Sequence, residues 1–338
     1  MGFSIEEARD AEGKRRSQKR EGRIFDMVPE YTLTFQELTD WYLSRPSVQA
    51  LRSSERVQDC LNNFNSAFGD VVVSQIKPVD IEDYQHKRLG HGAAPATVDM
   101  EISIAKTMAT KAYDNDMAGD STYRTFRKVK RLLKKDTNAR DRILTFEEYR
   151  ALLQHAADHL RAILVIGFNT GMRRGEILGL KWSNIDRDHW FVRLPADDVK
   201  ERKPKSIPIN RHVKNVLGDL DRVRSLQHEH VITYRGHPIA MGLRKSLVAA
   251  CKAAGIPYGM KTPGGLRFHD IRTTVKTNML RAGVDKALRD MILGHSLQGM
   301  DAYYLKPTDD DLRQAMDKYT AWIDAQLQFL DQSIDQGN

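Results

Sequence analysis

Trp190-Phe191-Val192-Arg193-Leu194 and Ser206-Ile207-Pro208-Ile209 read as two short strands, rich in β-branched and aromatic residues and divided by the charged turn Asp197 to Lys205. Their surroundings are helical. Upstream, Leu160 to Phe168 is an apolar helix, Thr170-Gly171 breaks it, and helical spacing resumes from Met172 to Leu180. Downstream, helices return from about Val213. The second half of the chain is therefore expected to be a mostly helical domain carrying a small antiparallel sheet.

The first half reads as all-α. Thr34-Phe35-Gln36-Glu37 has the form of a capping box, in which the threonine caps the first turn and the glutamate reaches back. A short helix follows through Leu38, Trp41 and Tyr42 to a stop near Pro46. Further helices are expected from Gln49 to Phe68, from Pro78 to Leu89, and from Pro95 to Tyr113. In the last, Val98, Ile102, Ala105, Met108 and Ala112 recur at helical spacing and form one apolar face. A second capping box, Thr145-Phe146-Glu147-Glu148, opens a new domain.

Charge narrows the function. The 338 residues carry a net +8, with 41% hydrophobic and 29% charged residues, a globular composition. From Asp309 onward seven aspartates face only Arg313 and Lys318, so this tail is −5 and the remainder +13. Such a field attracts polyanions, nucleic acid first. The most basic stretch runs from Arg124 to Arg142. Arg124, Arg127, Lys128, Lys130, Arg131, Lys134, Lys135 and Arg140 are the expected DNA contacts there, because each neutralised phosphate releases counterions. A solubilising hinge is the alternative. Residues 1 to 30 hold a further basic cluster around Lys14-Arg15-Arg16.

No apolar run approaches the ~18 residues of a membrane span. Cys60 and Cys251 cannot build a disulfide framework or a cysteine-rich zinc site, which points to a reducing, cytoplasmic setting. No GxxxxGK[ST] loop is present. His155 and His159 have metal-pair spacing on one expected helix, but lack an accompanying glutamate, so a partly exposed helix face is expected there.

Four segments of the second half resemble the tyrosine recombinase, or phage integrase, family. Thr170-Gly171-Met172-Arg173-Arg174-Gly175-Glu176-Ile177 is similar to its first arginine motif. Val199-Lys200-Glu201-Arg202-Lys203-Pro204-Lys205-Ser206-Ile207-Pro208-Ile209 resembles the hairpin presenting its catalytic lysine. Leu266-Arg267-Phe268-His269-Asp270-Ile271-Arg272 resembles its His-x-x-Arg motif. Leu293-Gly294-His295-Ser296 precedes Tyr304 by the family's usual interval. The lone tripeptide Leu89-Gly90-His91 shows how cheaply one such fragment recurs; the order and spacing of all four carry the resemblance.

The resemblance implies a site-specific DNA recombinase acting in integration or excision of a mobile element. Its domains would be a basic segment (1–30), a helical core-type DNA-binding domain (31–135), a basic linker (136–142), a catalytic domain (143–308) and an acidic helix (309–338). The two domains would clamp DNA from opposite sides. Catalysis would use Arg173, Lys200, His269, Arg272, His295 and Tyr304, with no metal and no cofactor. Arg173 and Arg272 would hold the phosphate, Lys200 would protonate the leaving 5′ oxygen, and Tyr304 would form a 3′-phosphotyrosine. Lys203 and Lys205 compete with Lys200, and Tyr303 with Tyr304. A homo-tetramer on DNA and accessory DNA-bending proteins are expected partners. DNA relaxation of the topoisomerase kind, and an inactive DNA-binding regulator, are the alternatives. The final helix, with Leu312, Met316, Tyr319, Ile323, Leu327, Leu330 and Ile334, either packs on its own domain or docks on a neighbouring protomer.

Overall fold

The computed structural model describes residues 33–134, 137, 140–224, 227–239, 242–297, 299–300 and 304–335. The basic cluster before residue 31 lies outside them. The protein is mainly helical with a small antiparallel sheet, and it divides into two compact units, one ending at Ala139 and one starting at Arg140.

The first unit comprises α1 (Phe35–Leu43), α2 (Pro46–Gln49), α3 (Ser54–Phe68), α4 (Pro78–Gly90), α5 (Pro95–Tyr113) and α6 (Asp120–Lys128). The Thr34 capping box forms: the Glu37 amide donates to Thr34 Oγ1 at 3.2 Å, and the Thr34 amide donates to Glu37 Oε2 at 2.8 Å. Pro46 starts a helix instead of ending one, and α3 begins later than its apolar pattern suggests. All five apolar positions read on α5 are buried. Its helix faces a ring cluster in which Phe64 lies 4.3 Å from Tyr84 and 5.6 Å from Phe35. Phe126 of α6 joins that cluster. α6 overlaps the start of the stretch read only as basic; Thr122 and Phe126 are its sole buried residues, too few to show an apolar periodicity. Beyond it, the buried Asp99 carboxylate accepts from the amides of Leu132 (2.7 Å) and Leu133 (3.0 Å), pinning the basic stretch to α5.

The second unit opens with α7 (Phe146–His155), α8 (Asp158–Thr170) and α9 (Arg174–Leu178). β1 (Ile185–Asp186), β2 (Phe191–Leu194) and β3 (Lys205–Pro208) form an antiparallel sheet in that order. Both expected strands exist, and β1 is too short to show a pattern. Leu194 pairs with Lys205, so the register turns Lys205 inward with Ile207. Then come α10 (Arg211–Arg222), the hairpin β4 (Thr233–Tyr234) and β5 (His237–Pro238), α11 (Leu243–Ala253), α12 (Phe268–Arg281), α13 (Lys286–Leu293) and α14 (Asp309–Asp335). His155 and His159 lie on different helices, because Ala156-Ala157 separates α7 from α8, and His159 Nε2 meets Ser246 Oγ at 3.1 Å.

α14 packs on its own unit. Leu312, Met316, Tyr319 and Ile323 are buried in the same core as Phe168, Ile271 and Val275. The Tyr319 hydroxyl donates to the Phe168 carbonyl at 2.8 Å. Asp309 begins the helix and pairs with Arg193, while Thr308 and Asp311 form its capping box. Among the described residues, no helix is long and apolar enough to cross a membrane.

Candidate active site

Gly171 ends α8 in a left-handed conformation (φ +65°). A Cβ there would stand 2.3 Å from Leu293 Cδ2 and 3.1 Å from Val275 Cγ1, so only glycine lets the chain pass this close to α12 and α13. The turn delivers Arg173 to the start of α9. Glu176 reaches back to it: the Arg173 amide and Nη1 donate to the two Glu176 oxygens, each at 2.9 Å. Glu176 also accepts from Lys205 Nζ at 2.9 Å, and both of these side chains are almost fully buried. Burial pushes the Lys205 ammonium down to about 8 although Glu176 opposes the shift. Burial likewise opposes ionisation of Glu176, but the Lys205 and Arg173 contacts outweigh it and hold the carboxyl below its ordinary value.

Arg272 sits on α12 at 5% exposure. Its Nη1 donates to the Gly171 carbonyl at 2.7 Å and its Nη2 to the Leu293 carbonyl. Among the described residues no carboxylate pairs with it. Asp270, the obvious rival partner, is taken by Arg140 Nε (3.1 Å) and Nη2 (2.8 Å) and by the Arg267 amide (2.8 Å). Burial, then the charge of Arg173, lower Arg272 to about 10, which still leaves it protonated at neutral pH. A buried guanidinium fixed by two carbonyls, with Glu176 and Glu201 acting on it without a direct ion pair, keeps its donors' charge available to an arriving anion.

His269 and Arg272 share a face of α12, three residues apart. His269 is open to solvent on one side. Partial desolvation first, and Arg272 second, hold its imidazole below the ordinary value. His295 follows Gly294, whose left-handed conformation (φ +71°) closes α13. The His295 amide donates to the Asp290 carbonyl at 2.7 Å and its Nδ1 lies 3.3 Å from Asp290 Oδ1. This turns Nε2 away from Asp290. Burial and Arg272 again lower the imidazole, against the pull of Asp290.

Lys200 is exposed in the turn between β2 and β3, with no ion pair among the described residues. Its neighbour Glu201 reaches Arg173 instead, accepting from Nη1 at 2.9 Å and also from Nη2. A cavity of about 320 Å³ opens here, lined by Glu201, Lys203, Lys205, Gly294, His295 and Asp309 among others. Tyr304 is 74% exposed, and its hydroxyl has no hydrogen-bond partner among the described residues. Tyr303 lies outside them. The structure thus gathers Arg173, Arg272, His269 and His295, and leaves Lys200 and Tyr304 facing solvent. Glu201 and Asp290 are the participants that motif spacing missed; a carboxylate beside a lysine, or five residues before a histidine, carries no signal until the fold is known.

The basic residues singled out in the first unit are mostly on its surface. Arg124, Arg127, Lys128, Lys130, Arg131 and Lys134 are exposed, with Arg124 held by Asp120 at 2.7 Å and Arg127 over the Tyr123 ring. Lys135 lies outside the described residues. Arg140 is different: it belongs to the second unit and is committed to Asp270 and the Gly265 carbonyl.

Comparison with known proteins agrees with this geometry. The model of the phage integrase family matches residues 142–310, half of the chain. The tyrosine recombinase XerC-like protein of Caldanaerobacter subterraneus subsp. tengcongensis is 26% identical over 271 residues, covering 69% of this chain and 67% of that protein. The shufflon-specific DNA recombinase of Escherichia coli is 26% identical over 270 residues, covering 74% of this chain and 65% of that protein. The alignments therefore span about two thirds of those relatives. Among solved structures, a lambda integrase tetramer bound to a Holliday junction superposes with a TM-score of 0.65 at 16% identity, covering 91% of this chain and 92% of that one. With the arginine and histidine motifs brought into one region by the fold, and the family model matching half of the chain, the chain belongs to the phage integrase family.

Proposed function

We propose that the protein is a site-specific DNA recombinase that cuts and rejoins strands through a 3′-phosphotyrosine. The observation that carries this reading is Arg272, a buried guanidinium with no paired carboxylate among the described residues, close to Arg173 and to two histidines whose imidazoles lie below the ordinary value. A pentavalent phosphorane needs this arrangement: fixed cations where negative charge develops, in a site sheltered from water. Arginine supplies paired donors to phosphate oxygens and keeps its charge.

Tyr304 Oη attacks the phosphorus, and its proton passes to His269. The P–O5′ bond breaks, Lys200 protonates the leaving oxygen, and a free 5′ hydroxyl remains beside the covalent 3′-phosphotyrosine. One phosphodiester replaces another, so the reverse step with a new 5′ hydroxyl rejoins the strand without an external energy source. Both Tyr304 and the turn carrying Lys200 must move onto the phosphate. Their exposure supports a site completed only on DNA. The basic surface residues of the first unit would supply affinity and position through backbone contacts. Assembly of four copies fits the family reading and the fold shared with the tetrameric lambda integrase. Integration and excision of a mobile element are the setting this chemistry suits.

Substitution tests the assignment. On a nicked duplex that traps the covalent intermediate, Tyr304→Phe abolishes the adduct and Tyr303→Phe retains it. The reverse outcome exchanges the two tyrosines.

A further inference from the structure

A second basic pocket lies beside the site and has no role in the chemistry above. Arg174, Arg244 and Arg267 line a cavity of about 310 Å³, whose remaining wall is mostly apolar: Leu243, Leu247, Tyr258, Gly259, Met260 and Phe268. All three guanidinium groups are on exposed residues, and among the described residues none has a carboxylate partner. Some other arginines of the same unit are paired with carboxylates: Arg187 with Asp221, Arg193 with Asp309, Arg211 with Asp324. Three converging like charges repel one another unless an anion joins them. Chain connectivity places the pocket next to the site, since Arg174 follows Arg173 and Arg267 precedes His269 by two residues.

We propose that this pocket binds one further backbone phosphate of the cleaved strand, adjacent to the phosphate held by Arg173 and Arg272. The inference rests on the DNA recombinase reading. It is tested with the full chain in a Tyr304→Phe background, measuring affinity for a nonspecific duplex oligonucleotide across a salt series. The triple variant R174A/R244A/R267A should lower the slope of log K against log salt by about 0.9, the contribution of one phosphate. A drop near three times that size means three scattered contacts, and an unchanged slope means no contact; either overturns the proposal. Failure of the parent protein to bind duplex DNA would instead strike the recombinase reading.

A separate observation concerns Glu201. Its carboxylate spans Nη1 and Nη2 of Arg173, the same paired donors that suit a phosphate. Among the described residues Glu201 has no other partner, whereas Glu176 is anchored by Lys205 as well. Glu201 lies between Lys200 and Arg202, and Arg202 adopts a left-handed backbone (φ +52°) that a non-glycine residue takes at a cost. We infer that Glu201 is a positioning residue that occupies the place of the scissile phosphate, so that arriving DNA displaces it and frees the turn to bring Lys200 inward.

The test is single-turnover cleavage of a nicked duplex that the parent chain cuts, over a range of DNA concentrations. Glu201→Gln removes the competing charge at constant shape. It should lower the half-saturating DNA concentration several-fold without slowing the saturated rate, and Glu201→Asp should restore parent behaviour. A slower saturated rate would make Glu201 a support for Arg173, and an unchanged half-saturation would make it a bystander; both contradict the inference. A parent chain that cuts no duplex would count against the recombinase reading and not against Glu201.

Discussion

Two buried ionic networks, one in each unit, are built on opposite principles. In the first unit Glu101 is fully buried and every acceptor is filled. It receives Asn63 Nδ2 at 2.9 Å, the Tyr84 hydroxyl at 2.8 Å, and Arg88 through Nε (3.0 Å) and Nη2 (2.6 Å). Tyr84 is held protonated by burial and by Glu101. The network is closed and ties α3, α4 and α5 together. In the second unit Arg272 is nearly as buried, but its direct partners are carbonyls, and the carboxylates of Glu176 and Glu201 favour its charge without pairing with it. A closed network serves the fold, whereas an open one stores electrostatic attraction for a ligand.

The contrast predicts different failures. Glu101→Ala should cost about 3–5 kcal/mol of stability by stranding Arg88 and Tyr84, read as a lowered denaturation midpoint of the first unit. A loss under 1 kcal/mol would mean the network is ornamental. Arg272→Ala should slow adduct formation about 10²–10³-fold, or about 2.7–4 kcal/mol in the transition state, because one preorganised cationic donor is lost. Comparable slowing by Glu101→Ala at a temperature where it stays folded would erase the distinction between the networks.

The smallest effect concerns pH. Both His269 and His295 have imidazoles lowered from the ordinary value of about 6.5. A lowered value means the folded protein resists protonation, so the neutral rings persist to more acidic pH than free histidine. Cleavage at subsaturating DNA reports the unliganded protein. It should hold through the ordinary histidine range and decline only below it. A half-loss at or above that range would show that the open network does not lower the two rings.

The same contrast explains what the sequence made legible. The closed, architectural features rest on local patterns: two capping boxes, the α5 apolar face and the apolar strand at Phe191–Leu194 could all be read directly. Arg173, His269, Arg272 and His295 were visible as motif positions, and the fold brings them into one region. α6 escaped because its charges mask the burial of Phe126. Glu201 and Asp290 escaped because their meaning depends on partners 28 and 5 residues away across turns. The packing of α14 within its own unit became visible only with the core, since an amphipathic stripe says only that something covers it.

The exposed phenol of Tyr304 is the group on which the chemistry turns. Protease digestion of the trapped protein–DNA adduct, followed by mass spectrometry of the nucleotide-bearing peptide, identifies the attached side chain directly. The expected product is a phosphate ester on Tyr304 joined to a 3′ DNA end. Attachment to a serine or another tyrosine, linkage through the 5′ end, or no covalent species from a protein that binds and exchanges strands, would contradict it.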